Sequence, residues 1–397
     1  MGRAGMSRIR AGIALAFVLV LGAHEPYAQE KKQELVAPWI SIDASLQLRF
    51  DWTVASDRAG NRIKQLFIEH GDLEFGLHGT DWLTLRAHIA AGAVRPPLPG
   101  RNAWFRGFGM YMEELFVEAH IDEASFRIGK LNPTFAVAHN EKFLRGMGAV
   151  GLNVAYELTE MLGFGMILRP DLTRYGLGKH AFAVHLFSVD TTFLNHSIIT
   201  TPGSTDTSFS RLGNRRLADG GLANTNRPDS VALALAGRGF DVLPNLGYAL
   251  GFRLLRASPA GLAAGSETRD ETGYSVAIDY RFATTAWGAE TRVLPLAEWV
   301  HLRNPGGNPG VTNYLTLGVG LEHGPWALWL SGTLRDTTAV PGSADVRDRL
   351  FAVSLDRDLT DWLKLGIGYR YQRVNRVDDH IFGLRLWVQD YIEIALR

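Results

Sequence analysis

The sequence has no cysteine, no net charge and no long apolar run beyond its N-terminal segment. Its 397 residues include 41 basic and 41 acidic side chains. Without cysteine the chain forms no disulfide, holds no thiolate-bound metal and has no cysteine nucleophile. A balanced charge gives no electrostatic case for a nucleic-acid partner, and we expect none. Because no 18-residue apolar stretch follows the N-terminal segment, helical membrane spans are excluded there.

The first 28 residues have the organisation of a secretory signal peptide. Arg3, Arg8 and Arg10 precede a short apolar run from Ala11 to Gly22. A positive segment followed by a short apolar segment is typical of export signals, although Pro26 fits the cleavage rule after Ala28 poorly. A membrane anchor is the less favoured alternative, because the run is too short for a hydrocarbon core of ~30 Å. We therefore expect residues 1–28 to be a signal peptide and residues 29–397 to be the mature, exported protein.

Residues 40–54 alternate apolar and polar side chains without a break. Alternate side chains of a β-strand point to opposite faces, so one face meets an apolar phase and the other meets water. The run exceeds the ~5–6 residues of an ordinary strand and suffices for the ~9–11 tilted residues that cross a bilayer. Similar alternation recurs at residues 83–91, 114–122, 274–282 and 363–372.

Short and long connections alternate between these predicted strands. Tight turns are predicted at 79–81, 122–124, 158–160, 241–245, 324–325 and 360–361, and longer polar links at 92–110, 131–149, 200–229, 257–271, 303–312 and 336–346. This alternation is typical of bacterial outer-membrane barrels. It predicts an all-β fold, a transmembrane antiparallel up-and-down β-barrel of 16–18 strands. Eighteen is the preferred count, with residues 193–199 counted as a strand. A soluble β-sandwich is the alternative, but the number of hairpins favours the barrel.

Tryptophans recur where the predicted strands would enter a bilayer. The turns before Trp82 and Trp362 share the sequence Thr-Asp-Trp-Leu. Aromatic girdles occupy this depth in outer-membrane barrels. We expect these two residues to belong to such girdles and four further tryptophans to extend them, namely Trp299, Trp326, Trp329 and Trp387.

Two segments carry a recognisable motif. Residues 127–135 read RIGKLNPTF and lead into the long link at 131–149, and residues 155–165 read AYELTEMLGFG. In these stretches the chain resembles Gram-negative outer-membrane porins with a GK-x-NP-x-F segment, and loosely the phosphate- or carbohydrate-selective ones. The second stretch looks like the tight hairpin that follows the motif in such proteins. The chain departs from them at its last residue, Arg397, where such barrels usually carry an aromatic residue. The resemblance also implies a homotrimer.

The link near 131–149 is the predicted pore constriction, because barrels of this kind commonly fold one long loop inward. Its candidate residues are His139, Glu141, Lys142 and Arg145. The predicted lumen wall carries Arg49, Asp51, Arg86, Glu114, Glu118, Arg127, Arg281 and Arg370. Charges of both signs on a pore wall decide which solutes pass. The alternative is that these residues only pair with one another inside the lumen. Positive and negative charges are evenly balanced among these residues, so the sequence does not predict whether the pore prefers anions or cations.

Catalytic and metal-binding patterns are weak in this sequence. Its histidines form no H-x-x-x-H or H-E-x-x-H pattern, and His70 and His78 share a strand face at too great a spacing for one ion. The sequence contains no G-x-S-x-G elbow and no P-loop. We therefore expect no catalytic residue, no metal and no cofactor. His196 and Ser197 leave open a hydrolytic site of the kind found in barrel phospholipases.

The leading hypothesis is a porin in the outer membrane of a Gram-negative bacterium. Such a barrel is a water-filled channel through which small hydrophilic solutes or ions diffuse passively. Its partners would be the membrane lipid, the solutes and two further copies of the chain. A barrel hydrolase and a plugged or export barrel are the alternatives from other functional classes.

Overall fold

Sixteen long antiparallel strands form a closed β-barrel. The computed structural model describes residues 36–200, 216–258, 268–285, 290–338 and 344–396, so the predicted signal peptide lies outside the described residues. The strands are β1 (Trp39–Ser56), β2 (Lys64–His78), β3 (Leu83–Ala93), β4 (Phe108–Ile121), β5 (Ala124–Leu131), β6 (Met161–Leu168), β7 (Lys179–Val189), β8 (Ser230–Arg238), β9 (Leu246–Leu255), β10 (Glu271–Tyr280, continued by Phe282–Thr284), β11 (Thr291–Arg303), β12 (Val311–His323), β13 (Trp326–Thr338), β14 (Val346–Asp358), β15 (Leu363–Val374) and β16 (Val377–Ala395).

Each strand pairs with the next one along the chain, and the last pairs with the first. The β1–β16 register runs from Trp39 opposite Ala395 to Ser56 opposite Asp379. Closure leaves no free sheet edge, so every strand of the ring has hydrogen-bonded neighbours on both sides.

Short elements lie outside this ring. They are the strands Ala103–Trp104, Ser197–Thr200, Gly221–Leu222 and Ala257–Ser258, and the 3-10 turns Ala59–Asn61, Asn153–Tyr156, Thr173–Tyr175, Phe193–Asn195, Leu217–Asp219 and Pro305–Gly307. No helix among the described residues is long and apolar enough to cross a bilayer.

The predicted range of 16–18 strands is confirmed at its lower end, and the preferred count of eighteen is not reached. Strand β7 pairs directly with β8, so residues 193–199 do not enter the ring. They form the turn Phe193–Asn195 and the beginning of Ser197–Thr200, which pairs with the start of β4. Four residues are too few to span a bilayer, but they suffice to pair with the start of β4, which extends beyond its pairing with β5.

Burial separates the two faces of the barrel wall. On β1, Gln47, Arg49 and Asp51 are between 2% and 6% exposed, whereas the interleaved Trp52 is 47% exposed. The outer surface carries exposed apolar side chains on many strands, including Val117, Ile128, Phe164, Leu186, Ile278, Leu317, Ile367 and Leu384. Apolar residues outside and polar residues inside is the arrangement of a barrel that faces lipid.

The connections define two unlike rims. The short-turn rim carries the turns at 79–82, 122–123, 324–325 and 359–362, and the long-loop rim carries the links at 94–107, 132–160 and 190–229. The prediction of a tight turn at 158–160 was wrong. Strand β5 pairs directly with β6, so all of residues 132–160 form one link at the long-loop rim, and no strand precedes 158–160.

Three β-bulges interrupt the alternation of the wall. In the β1–β16 pair, Thr53 lies opposite Ile381 and Ala55 lies opposite His380, so Val54 is the extra residue. In the β1–β2 pair, Gln47 lies opposite His70 and Leu48 lies opposite Ile68, so Glu69 is the extra residue. In the β3–β4 pair, Glu113 is the extra residue between the partners of His88 and Ile89. A bulge redirects the side chains beside it, so consecutive residues can reach the same side of the sheet.

Candidate functional site

The link of residues 132–160, here called the inner loop, lies inside the barrel. Its backbone reaches the lumen faces of strands far from its own root. The N–H of Val137 donates to Glu298 on β11 at 2.6 Å, and the N–H of Met147 donates to Ser354 on β14 at 3.3 Å. The inner loop therefore crosses the lumen.

The motif at residues 127–135 forms the root of the inner loop. Gly129 has a φ of +138°, and a Cβ at this position would collide with the carbonyl oxygen of Leu115. Lys130 is fully buried, and its Nζ lies 2.9 Å from Glu160 Oε2 and 3.1 Å from Asp190 Oδ2. A buried ammonium is costly unless it is paired, so both carboxylates are needed to keep it there. Lys130 thus ties the beginning of the inner loop to its end.

Asn132 fixes the direction in which the inner loop leaves the wall. Its backbone N–H donates to Glu114 Oε1 at 2.8 Å, and its Nδ2 donates to Glu113 Oε1 at 2.8 Å. Its Oδ1 accepts the N–H of Glu160, also at 2.8 Å. The bulge at Glu113 allows both neighbouring carboxylates to reach this one side chain.

Glu298 holds the inner loop on the opposite wall. This carboxylate is 2% exposed and accepts hydrogen bonds from the backbone N–H groups of Val137 and Ala138 and from the hydroxyl of Tyr156. Charge-assisted hydrogen bonds of this kind are about twice as strong as neutral ones. Burial, together with the neighbouring Glu298 carboxylate, raises the pKa of Tyr156. The phenol therefore stays protonated and donates.

Apolar side chains fill the space between the inner loop and one side of the barrel. Phe135, Tyr156 and Leu158 pack with residues of β7, β9, β11 and β12, and Leu144, Val150 and Leu152 pack with Leu296, Leu350 and Ala352. Dense apolar packing excludes water. Water is thus excluded where the inner loop contacts these side chains.

The four predicted constriction residues all lie on the inner loop. Lys142 is exposed, and Arg145 donates to Glu322 Oε1 at 2.9 Å while its guanidinium lies over the Trp329 ring. Burial and the nearby charge of Arg253 lower the pKa of His139 to about 4, so this imidazole is neutral at pH 7. Arg145 and Lys142 therefore supply positive charge to the lumen and His139 does not.

Glu141 faces the β1–β2 wall. Its Oε1 lies 3.4 Å from His70 Nε2. Burial alone would raise the pKa of Glu141, but His70 and the guanidiniums of Arg385 and Arg49 outweigh burial and hold this pKa below its usual range. The carboxylate is consequently ionised at pH 7.

The predicted wall residues fall into two groups of ion pairs. Arg49 binds Asp51 through Nε at 2.6 Å and also binds Glu69, and Arg370 Nη2 lies 3.6 Å from Asp51. Gly148 of the inner loop lies against the guanidiniums of both Arg49 and Arg370. This group therefore lies directly beside the inner loop.

The second group lies on β3, β4 and β5. Glu118 is 1% exposed and accepts from Arg86 at 2.8 Å and from Arg127 at 2.7 Å. Glu114 binds the root of the inner loop. Arg281 lies apart from both groups, 3.9 Å from Asp279 near the short-turn rim. The predicted wall residues thus surround the inner loop on several sides and form no single cluster.

Two polar recesses lie between the inner loop and the wall. Their volumes are about 320 and 450 Å³. Arg145, Arg292, Glu322 and Trp329 line both, and turn residues of the short-turn rim line their outer ends. A solute that approaches the inner loop from the short-turn rim therefore contacts charges of both signs.

Two of the predicted girdle residues point the other way. Trp329 is 6% exposed beneath Arg145, and Trp387 lies beneath Lys364 and Arg385, so both belong to the lumen. Trp82, Trp299, Trp326 and Trp362 are each more than 40% exposed. The prediction for Trp329 and Trp387 was wrong, because both lie at lumen-facing positions in their strands.

The hydrolytic alternative finds no support in the geometry. His196 is exposed at the end of a 3-10 turn, and Ser197 begins an extended segment. The Ser197 Oγ is buried and has no hydrogen-bond partner among the described residues. A serine nucleophile needs a base within hydrogen-bonding distance, and His196 does not provide one here.

Several site residues were missed by sequence reasoning. Glu298 and Tyr156 hold the inner loop on the wall, and Glu69 binds Arg49 beside it. Strand alternation does indicate that Glu298 faces the lumen, because its neighbours Trp299 and Ala297 face outward. The loop residues that it binds lie about 160 positions earlier in the chain, so no local sequence pattern indicates this contact.

Comparison with known proteins identifies the fold. No protein-family model matches the chain. No curated protein matches it in sequence. Among solved structures, it is similar to OmpF of Salmonella typhi in complex with daunomycin, with a TM-score of 0.55 and 12% identity over 88% of this chain and 97% of that one. The outer membrane channel DcaP of Acinetobacter baumannii gives 0.53 and 10% over 88% and 97%, and OmpT, an outer membrane protein of Vibrio cholerae, gives 0.51 and 12% over 91% and 100%. At these identities the likeness shows a shared outer-membrane barrel fold.

Proposed function

We propose that this chain is a bacterial outer-membrane porin through which small hydrophilic solutes diffuse passively, with the inner loop as its constriction. The observation that carries the proposal is the combination of a closed barrel, an apolar outer face and a charged lumen crossed by one anchored loop. Two structures of similar fold are described as an outer membrane channel and as OmpF with a bound small molecule, daunomycin. No cofactor and no covalent step enter this function.

Selection would take place where the inner loop meets the wall. Arg145 and Lys142 extend into the lumen near Glu141 and Glu322. A charge in a narrow pore is less screened by water than one on an open surface, so it acts strongly on a passing ion. The recesses on the short-turn side are too small for a folded protein and suit solutes of modest size.

Reconstitution into a planar bilayer tests the channel directly. The purified barrel should insert with stepwise increases in conductance. A liposome-swelling panel of sugars, phosphate and amino acids then identifies the preferred class of solute. Correctly folded protein that inserts without current would contradict the proposal.

Membrane location and orientation can be tested by cysteine labelling, because the wild-type chain has no cysteine. Asn308 lies in a link of the long-loop rim and Asp361 in a turn of the short-turn rim, and both are exposed. With the long loops outside the cell, Asn308→Cys reacts with an impermeant reagent on intact cells and Asp361→Cys reacts only after lysis. Equal labelling of both on intact cells would contradict the proposed location.

We further propose a homotrimer, as the resemblance to porins implies. Chemical cross-linking in mild detergent should produce a species of three chains, and current should rise in groups of three equal steps. A monomeric species that conducts fully would contradict the trimer and leave the channel intact.

A gated barrel is the second candidate, and the packing of the inner loop favours it. Two apolar clusters join this loop to one side of the wall, which narrows the open path. A gated barrel would conduct little until the inner loop is released. Glu298→Ala, which removes the carboxylate that holds the inner loop, should then increase current strongly, whereas an open porin changes only moderately.

A further inference from the structure

We propose that Glu69 and His70 of the wall and Glu141 of the inner loop form a binding site for a divalent transition-metal cation. The three residues can each offer one ligand atom, and these atoms lie within 4.8 Å of one another. This site concerns binding alone and does not depend on whether the barrel conducts.

The β-bulge in β2 builds the site. In a regular strand, consecutive residues such as Glu69 and His70 would point to opposite faces, one to lipid and one to water. Because Glu69 is the extra residue of the bulge, both side chains reach the lumen. Glu141 then approaches from the inner loop, so the site joins two parts of the chain that lie some 70 residues apart.

The spacing already suits a metal. His70 Nε2 and Glu141 Oε1 are 3.4 Å apart. Two ligands at ~2.0–2.1 Å from a tetrahedral ion are separated by about 3.3 Å. Only the Glu69 carboxylate must turn toward the other two. One imidazole and two carboxylates with an open fourth position form a donor set that Zn²⁺ accepts.

The site is reached from the lumen through His70. The His70 side chain is 48% exposed, so a hydrated ion can reach it. Glu141 Oε1 is buried and accepts no hydrogen bond among the described residues. His70 lies 3.4 Å from this oxygen as its cationic partner, so a metal ion between the two would take the place of the proton on the imidazole.

The nearby arginine does not prevent binding. Arg49 donates to Glu69, but it also holds Asp51 through two separate hydrogen bonds, from Nε at 2.6 Å and from Nη2 at 2.7 Å. When Glu69 turns to the metal, Arg49 keeps this second carboxylate and is not left unpaired. Gln47 Nε2 donates to the other oxygen of Glu69 at 2.7 Å, and such a bond orients a ligating carboxylate.

Isothermal titration calorimetry of the full barrel in detergent, with ZnCl₂ and in parallel with MgCl₂, tests the site. Wild type should bind one Zn²⁺ per chain and show no comparable affinity for Mg²⁺. His70→Ala and Glu141→Gln should each weaken Zn²⁺ binding at least tenfold. His88→Ala is the matched control, since His88 is a lumenal histidine on the next strand with one carboxylate, Asp72, at 2.9 Å.

Folding of each variant is checked by the change in gel mobility on heating, which folded barrels show. Retained Zn²⁺ affinity in both folded His70→Ala and folded Glu141→Gln overturns the proposal, and so does the absence of saturable binding in wild type. An equal loss in His88→Ala also overturns it, because binding would then be a general property of lumenal histidines.

Discussion

The carboxylate of Glu298 should decide whether the inner loop stays docked. It accepts the N–H of Val137 at 2.6 Å, the N–H of Ala138 at 3.0 Å and the hydroxyl of Tyr156 at 2.5 Å, and it is 2% exposed. Glu298→Gln keeps the shape but replaces one acceptor oxygen by an NH₂ group. The Tyr156 hydroxyl can turn and accept from that NH₂ group while the remaining oxygen keeps both backbone N–H groups, so the three hydrogen bonds persist but become neutral.

The size of the effect follows from these contacts. A hydrogen bond to a charged group contributes ~1.5–3 kcal/mol, and one between neutral groups contributes ~0.5–1.5 kcal/mol. Three bonds that each weaken by about 1 kcal/mol amount to about 3 kcal/mol of loop docking. Since ~1.4 kcal/mol corresponds to a factor of ten, the undocked population should rise about 100-fold.

Hydrogen–deuterium exchange of the barrel in detergent measures this population. The amides of Val137 and Ala138 should exchange about 100-fold faster in Glu298→Gln than in wild type, while strand amides keep their protection. The matched control is Glu118→Gln, a carboxylate 1% exposed that binds Arg86 and Arg127 and no residue of the inner loop. Wild-type exchange in Glu298→Gln, or equal acceleration in the control, would refute the reasoning.

Three further outcomes are expected. Arg145→Ala combined with Lys142→Ala should shift the reversal potential under a salt gradient toward cations, because two positive charges are removed and Glu322 keeps only Arg292, at 3.8 Å; an unchanged potential would exclude the inner loop from selection. Gly129→Ala should destabilise the barrel to urea by at least about 2 kcal/mol, since its φ of +138° and close neighbours exclude a Cβ, whereas Gly324→Ala, with open space around it, should cost only about 1 kcal/mol. His139 has a pKa of about 4 when docked, against ~6.5 when free, so protonation favours the undocked loop. Docking should therefore weaken as the pH falls from 6.5 toward 4, by roughly 3 kcal/mol at the lower end, and exchange measurements on His139→Asn should show a smaller pH dependence.

The barrel could be predicted from sequence because alternation is a local signal. Each of the long strands repeats it, and strand length together with turn spacing then limits the architecture to a membrane barrel. The count of eighteen failed at two places. Residues 193–199 form a turn and the beginning of a short strand that pairs with the start of β4, and the turn Asn153–Tyr156 stands where a strand was expected before 158–160. Trp326 and Trp329 are three residues apart in one strand, so their side chains point to opposite faces of the wall. This odd spacing could have corrected the assignment of both residues to the girdle.

The candidate site could be predicted only in its parts. Parity places Arg49, Asp51 and Arg370 at lumen-facing positions, but it cannot reveal that Gly148 lies between two of these guanidiniums. The contacts of Glu298 join residues more than 140 positions apart, and no local pattern encodes them. The β-bulge at Glu69 breaks the rule on which the parity argument depends, so His70 and Glu69 could not be assigned to one face from sequence.

The position of Met147 and Gly148 has a consequence for the integrity of the ring. Every other strand pair of the barrel is joined by a covalent turn or link, but β1 and β16 meet only through their hydrogen bonds. Met147 lies against Gly383 of β16, and the next residue lies against Arg49 of β1. The inner loop therefore contacts both strands of the β1–β16 pair, here called the seam, from inside the lumen and acts as a brace for the one strand pair that has no connecting chain. Force that pulls the two ends of the polypeptide apart must release this brace before the seam can unzip along its whole length.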